Sequence, residues 1–191
     1  MQALTPAPAP APERQVIIGS AVASMAMIML TGGMLAVWSE QRTTFVEQDG
    51  TWLPSGVVIP EVAANVALIA FIGICTFAQW AVWAVRRNDR GHTAFALAAT
   101  ALTSIMVINA QAYIYSDMGL GIGDGAYATM FYAVTGMYML LLIIGVIFTA
   151  VTAFRSIGGR SDGNIVVAHA IYWYTMAAVS TAVWFVVYVT K

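Results

Sequence analysis

With 191 residues, 60% of them hydrophobic and only 9% charged, the chain cannot cover a water-facing surface, since soluble domains carry about 25% charged residues; the composition is that of an integral membrane protein. A net charge of -1 excludes a nucleic-acid partner, because phosphate binding needs a basic patch. The single cysteine, Cys75, excludes an internal disulfide and reads as packing within its apolar run.

In chain order, MQALTPAPAPAPER alternates proline and alanine. Proline has no N–H and favours extended geometry, so residues 1–15 are expected to form a disordered or extended tail. The leader lacks a positive n-region and the apolar run behind it is long enough to span, so it does not read as a secretory signal. A helix needs about 20 apolar residues to cross the hydrocarbon core. Five runs qualify: 16–38, 61–85, 93–116, 126–153 and 164–189. The expected fold is an all-α five-transmembrane-helix bundle over 16–191.

The first run contains SMAMIM, residues 24–29. Methionine thioethers are soft ligands that suit monovalent copper. At about 100° per residue, Met25 and Met29 share one face while Met27 lies opposite, where Met34 joins it. Thioethers divided in this way cannot converge on one ion within a helix, and adaptable packing is the expected role. The loop SEQRTTFVEQDGTWLPSG follows, then the second run, then RRNDRGH with Arg86, Arg87, Arg90 and His92. The third run carries Ala96, Thr100 and Ser104 at steps of four. This narrow stripe lets backbones approach, and Asn109 and Gln111 near its end can hydrogen-bond a neighbour. GLGIGDG, residues 119–125, joins two spans rather than a strand and a helix, so it reads as a turn and not a nucleotide site. After the fourth run comes RSIGGRSDG with Arg155 and Arg160; the fifth run holds His169, about two turns from its start.

Both arginine loops fall on the same side as Arg14, and the other side carries Glu40, Glu47, Asp49, Glu61, Asp117 and Asp124. The excess of positive charge on cytoplasmic loops puts the N-terminus in the cytoplasm and the C-terminus outside. Trp38, Tyr113, Tyr115, Trp184 and Tyr188 are expected in an outer aromatic belt, with Trp80 and Trp83 in an inner one. Beyond Glu61 at the very start of the second, the spans contain no Asp, Glu, Lys or Arg, the groups from which proton relays and ion pathways are built. Two histidines are too few for a haem and a copper centre together, and HExxH, CxxC, GxSxG and phosphate-loop patterns are absent.

YATMFYAVTGMYMLLLIIG, residues 127–145, resembles subunit III of the haem-copper oxidases in its short five-helix bacterial form. Tyr127, Phe131, Tyr132, Thr135, Gly136 and Gly145 match that family's pattern. Tyr172, Trp173 and Tyr188 match its closing helix, and WLP, residues 52–54, and QAYIY, residues 111–115, are similar to two further elements. The departures are systematic. Positions where the resemblance places intramembrane carboxylates fall on Met27 and Ile114, two histidines fall on Tyr138 and Leu141, and a His and an Asp fall on Tyr174 and Ala177.

The resemblance implies a non-catalytic accessory subunit that binds no haem or copper itself. It implies a larger integral membrane catalytic subunit as partner, one that carries haem or copper or both, and structural phospholipids held between helices. The packing residues it singles out for lipid or partner are Tyr127, Phe131, Tyr132, Tyr138, Tyr172 and Trp173, beside the stripe Ala96, Thr100 and Ser104. The implied location is the bacterial inner membrane. An accessory subunit of another membrane metalloenzyme, of nitric oxide reductase or copper monooxygenase type, is the alternative partner reading. An independent copper-handling or transport protein is the third, and the missing intramembrane charges weigh against it.

Overall fold

The computed structural model describes residues 14–160 and 162–190. The expected Pro/Ala tail lies almost wholly outside them. Five helices follow in order: α1 (Gln15–Asp49), α2 (Glu61–Arg86), α3 (Arg90–Met118), α4 (Ala126–Ile157) and α5 (Gly163–Val183), the last continuing as a π-helical turn over Trp184–Val189. All five are long and apolar enough to cross a membrane, and the described residues contain no strand. The protein is an all-α multi-pass membrane protein.

Helix α1 runs eleven residues past the end expected at 38. At 1.5 Å per residue it measures about 52 Å, against a hydrocarbon core of about 30 Å. The segment SEQRTTFVEQ contains neither glycine nor proline, so nothing breaks the helix as it leaves the membrane. Ser39 and Thr43 instead donate to the carbonyls of Leu35 and Ser39, at 2.9 and 3.0 Å. The helix closes at Gly50, whose N–H reaches the Val46 carbonyl at 3.0 Å.

Chain reversals are short on the Arg14 side. Three residues separate α2 from α3, and Asp89 caps α3 by accepting the His92 backbone N–H at 3.0 Å. On the other side, α3 ends at Gly119 with φ 62, a left-handed position that favours glycine. Asp124 then accepts the Gly121 N–H at 2.6 Å, so GLGIGDG is a turn pinned by its own carboxylate.

The broadest interhelical contact is between α2 and α3. Their buried residues repeat at steps of three and four, Ala67, Phe71, Ile74, Ala78 and Ala81 on α2 and Leu97, Thr100, Ser104, Val107 and Gln111 on α3, and the two helices meet where Gly73 lies beside Thr103 and Trp80 packs on Phe95. Small side chains at this spacing let two helices pack closely where lipid supplies no hydrophobic drive. Helix α4 extends the layer beside α3, and α5 is central, packed on α1, α2 and α4. Helix α1 is the outlier of the bundle. It presents one stripe inward (Ser24, Met27, Thr31, Leu35, Trp38) and is tied to α5 by Ser20 Oγ donating to the Ala168 carbonyl at 3.0 Å.

Two residues assigned to the outer belt lie elsewhere. Trp38 and Tyr188 are buried in the bundle, because Trp52 of the loop after α1 and Tyr127 of α4 pack on Trp38 and the π turn after α5 holds Tyr188 against Gln111 and Phe131. Tyr113 and Trp83 are exposed, and Trp83 carries the Arg87 guanidinium 3.9 Å above its ring. That cation–π contact suits a membrane boundary.

Candidate functional site

The matched residues gather in two buried clusters, one towards each end of the bundle, with the α3 stripe between α2 and α3. Ala96, Thr100 and Ser104 are fully buried. Thr100 and Ser104 donate to the carbonyls one turn back, Ala96 and Thr100, at 2.9 and 2.8 Å. Their hydroxyls are thus consumed within α3, leaving methyl or methylene surface for packing. The stripe is a close-packing surface.

The cluster nearer the arginine loops is built on α4 and α5. Gly145 and Thr149 are one turn apart on α4, and His169 and Trp173 are one turn apart on α5. A β-carbon at Gly145 would lie 2.7 Å from Tyr172 Cε1 and 3.0 Å from Trp173 Cη2 and Cζ2. Only glycine lets α5 lay both rings on α4. Tyr172 then donates to the Leu141 carbonyl at 2.6 Å. Thr149 Oγ1 lies 2.8 Å from the Gly145 carbonyl, 3.0 Å from Trp173 Nε1 and 2.9 Å from His169 Nε2.

The Trp173 indole N–H is shared between Thr149 Oγ1 at 3.0 Å and His169 Nε2 at 3.1 Å, so the three side chains close on one another. His169 Nδ1 has no partner among the described residues. The imidazole is fully buried and packed edge-on against Phe148. Through Thr149 it ties α5 to α4.

The other cluster joins α1, the loop after it, α3, α4 and the π turn after α5. Trp38 of α1, Trp52 of the following loop and Tyr127 of α4 meet with ring centroids 5.4–5.6 Å apart, all three contacts edge-on. Tyr127 stacks on Phe131 at 6.0 Å, and Phe131 meets Tyr115, Tyr132 and Tyr188 edge-on or nearly so. Edge-to-face geometry places positive ring edges on negative ring faces. Tyr132 is half-buried and donates to the Leu120 carbonyl at 2.7 Å. Tyr188 donates to Gln111 Oε1 at 3.0 Å. The indole N–H groups of Trp38 and Trp52 and the Tyr127 hydroxyl have no nitrogen or oxygen acceptor among the described residues.

Tyr138 links the clusters. Its hydroxyl lies 2.9 Å from Ser180 Oγ in the α4–α5 interface. Of the positions where the resemblance places ionisable groups, Met27, Ile114, Tyr138 and Leu141 are buried. Tyr174 is exposed and Ala177 half-buried. The described residues contain no group of three or more His, Cys, Asp or Glu able to hold a metal. The methionines diverge as helical geometry requires: Met25 and Met29 are 62% and 74% exposed, and Met27 is 7% exposed.

Sequence reasoning did not find Thr149, Ser180, Trp52 as a core residue, or the pairing of Gln79 with Tyr174 at 2.6 Å. The signal for Thr149 was present: Gly145 and Thr149, like His169 and Trp173, sit at i and i+4, on one helical face. For Trp52 no local periodicity exists, since it lies in a loop.

The sequence model of the family described as cytochrome c oxidase subunit III matches residues 17–191. The chain is 27% identical over 173 residues to the cytochrome c oxidase subunit 3 of Bos mutus grunniens, covering 86% of this chain and 64% of that protein. It is equally identical, over the same share of this chain and 63% of theirs, to the proteins of that name from Sus scrofa and Bos taurus. The chain therefore spans less than two thirds of the length of these relatives.

Proposed function

The chain belongs to the cytochrome c oxidase subunit III family, and from that membership we propose that it is a non-catalytic accessory subunit of a membrane respiratory oxidase, packed on a larger integral membrane catalytic subunit and holding structural phospholipids. The proposal puts the N-terminus in the cytoplasm of a bacterium, an orientation the arginine loops support, and gives the redox centres to the partner.

The observation that carries the reading is the interior. Every Asp, Glu, Lys and Arg among the described residues sits at a helix end or in a loop, or on the part of α1 beyond the membrane. The one buried imidazole is tied to Thr149, and positions 27, 114 and 141 are buried hydrocarbon or thioether. A buried ionisable group in a membrane costs several kcal/mol and persists where it works. Filling those positions with Met, Ile and Leu leaves a bundle suited to packing and to contact with acyl chains.

The experiment is deletion. Loss of the chain is expected to lower the assembled amount or the sustained turnover of its partner complex, with haem and copper per assembled complex unchanged. Loss of one stoichiometric metal on deletion would contradict the proposal. Co-migration in mild detergent with a haem b or copper monooxygenase-type enzyme would transfer the same role to that partner.

A further inference from the structure

Most of the lipid-facing surface is purely apolar. The outward face of α4 shows Leu140, Ile143, Ile147, Val151 and Phe154, and that of α1 shows Val22, Met25 and Met29. The face between α2 and α5 differs. Asn65, Ile72, Thr76 and Gln79 recur along one exposed side of α2 at steps of seven, four and three, and Tyr174, Ala178 and Thr181 recur on α5 at steps of four and three.

Two side-chain hydrogen bonds cross the groove between these stripes in the open: Tyr174 OH to Gln79 Oε1 at 2.6 Å and Trp184 Nε1 to Asn65 Oδ1 at 2.8 Å. Gln79 lies about 8 Å from the midpoint of α2 at 1.5 Å per residue, inside a hydrocarbon half-thickness of about 15 Å. Its carbonyl oxygen is held by Tyr174, which fixes the amide plane, and its Nε2 has no partner among the described residues. A fixed amide with two free N–H groups is poorly solvated by acyl chains. It is well solvated by a helix that offers an acceptor.

We infer that the outward groove between α2 and α5 is the docking face for a transmembrane helix of the larger subunit, an apolar helix that presents a hydrogen-bond acceptor at the depth of Gln79. The stripe spacing of three and four is that of a helix-packing seam. Ala178 is the small residue at which such a helix can approach, and the Asn65–Trp184 pair marks its outer end. The inference rests on the accessory-subunit reading and adds to it which face is covered and by what chemistry. The α3 face is the competitor. It carries one exposed amide, Asn109, but no second side chain orients it.

The test is site-specific photo-crosslinking of the full chain in its native membrane. A benzophenone side chain is placed in turn at Ile72, Ala178, Ile105 beside Asn109, Ile147 and Met29. Ile72 and Ala178 are expected to yield an adduct with a larger polypeptide, and Ile147 and Met29 only lipid adducts. Polypeptide adducts from Ile105, Ile147 or Met29 with none from Ile72 and Ala178 would overturn the inference and leave the accessory role intact. An adduct at Ile72 with the mass of two copies of this chain would overturn it in favour of self-association. No polypeptide adduct at any position, with no co-purifying subunit, would sink the accessory reading itself.

A second measurement uses Gln79→Leu, expected to lower partner retention in mild detergent by about three- to twentyfold, the range of one interhelical hydrogen bond in a membrane. Tyr174→Phe keeps the amide donors and is expected to lose less. Wild-type retention in Gln79→Leu would count against the docking face.

Discussion

Substituting Gly145 by alanine opposes two effects of known size. Alanine in place of glycine in a helix gains about 1 kcal/mol of propensity. The new methyl would stand 2.7 Å from Tyr172 Cε1 and 3.0 Å from two atoms of the Trp173 indole. Neither ring is a flexible end that can swing aside. Tyr172 is anchored to the Leu141 carbonyl at 2.6 Å and Trp173 to Thr149 at 3.0 Å. Relief therefore requires α5 to move off α4. Overpacking of this kind costs about 1–3 kcal/mol, and weakening the two anchors adds about 1 kcal/mol each. The balance is a net loss of about 2–4 kcal/mol. Gly136 on the same helix has nothing within 4 Å of its virtual β-carbon, so Gly136→Ala is expected to be neutral or more stable by up to about 1 kcal/mol. The assay is unfolding of the purified protein in mild detergent titrated with SDS, followed by tryptophan fluorescence, with the two variants run in parallel. A Gly145→Ala protein at least as stable as Gly136→Ala would refute the close-approach argument.

Met27→Leu is expected to change stability by less than about 1.5 kcal/mol, as a volume-conserving swap, whereas Met27→Glu puts a carboxylate at a 7% exposed site and is expected to lower the membrane level of the chain sharply on immunoblots. Tyr138→Phe and Ser180→Ala should each cost about 1 kcal/mol, and the double variant less than the sum, because both remove one 2.9 Å hydrogen bond; additive losses in the same SDS titration would show that the pair is not coupled. Asp89 accepts the His92 backbone N–H and lies 2.7 Å from His92 Nδ1, contacts that hold its carboxyl below the usual carboxylate range. A carboxyl lowered in the folded state contributes stability that is present above its ordinary range and lost as pH falls through the lowered value. Amide exchange around residues 87–93, corrected for the intrinsic pH dependence, should therefore rise on acidification into and below that range, and Asp89→Asn should flatten the rise.

The five spans were legible because membrane insertion imposes a simple demand: about 20 apolar residues with few charges. That demand says nothing about where a helix stops once it is in water. The end of α1 depended instead on the absence of a breaker between Ser39 and Asp49. The belt assignments failed at Trp38 and Tyr188 for a related reason. Sequence depth along a span predicts how far a ring lies from the membrane centre, but whether it points to lipid or protein depends on rotation about the helix axis. Tyr188 is also displaced by the π turn over Trp184–Val189, which shifts the rotational register of the last turn. No residue in WFVVYV announces it.

The divergence from the family's pattern separates into two kinds once burial is known. At Met27, Ile114, Tyr138 and Leu141 the side chain is inside the bundle. An ionisable group there would need a buried partner, and losing it removes a desolvation cost. Tyr138 is the informative case, because its hydroxyl keeps a polar contact, 2.9 Å from Ser180, without a charge. Tyr174 is different. It is 39% exposed and spends its hydroxyl on holding Gln79 at the surface. Interior economy cannot account for a tyrosine that orients an outward-facing amide at membrane depth. The buried four suit an uncharged bundle, whereas Tyr174 suits the partner proposed for the α2–α5 face. If that face met only acyl chains, a phenylalanine–leucine pair would pack there at lower cost than tyrosine and glutamine.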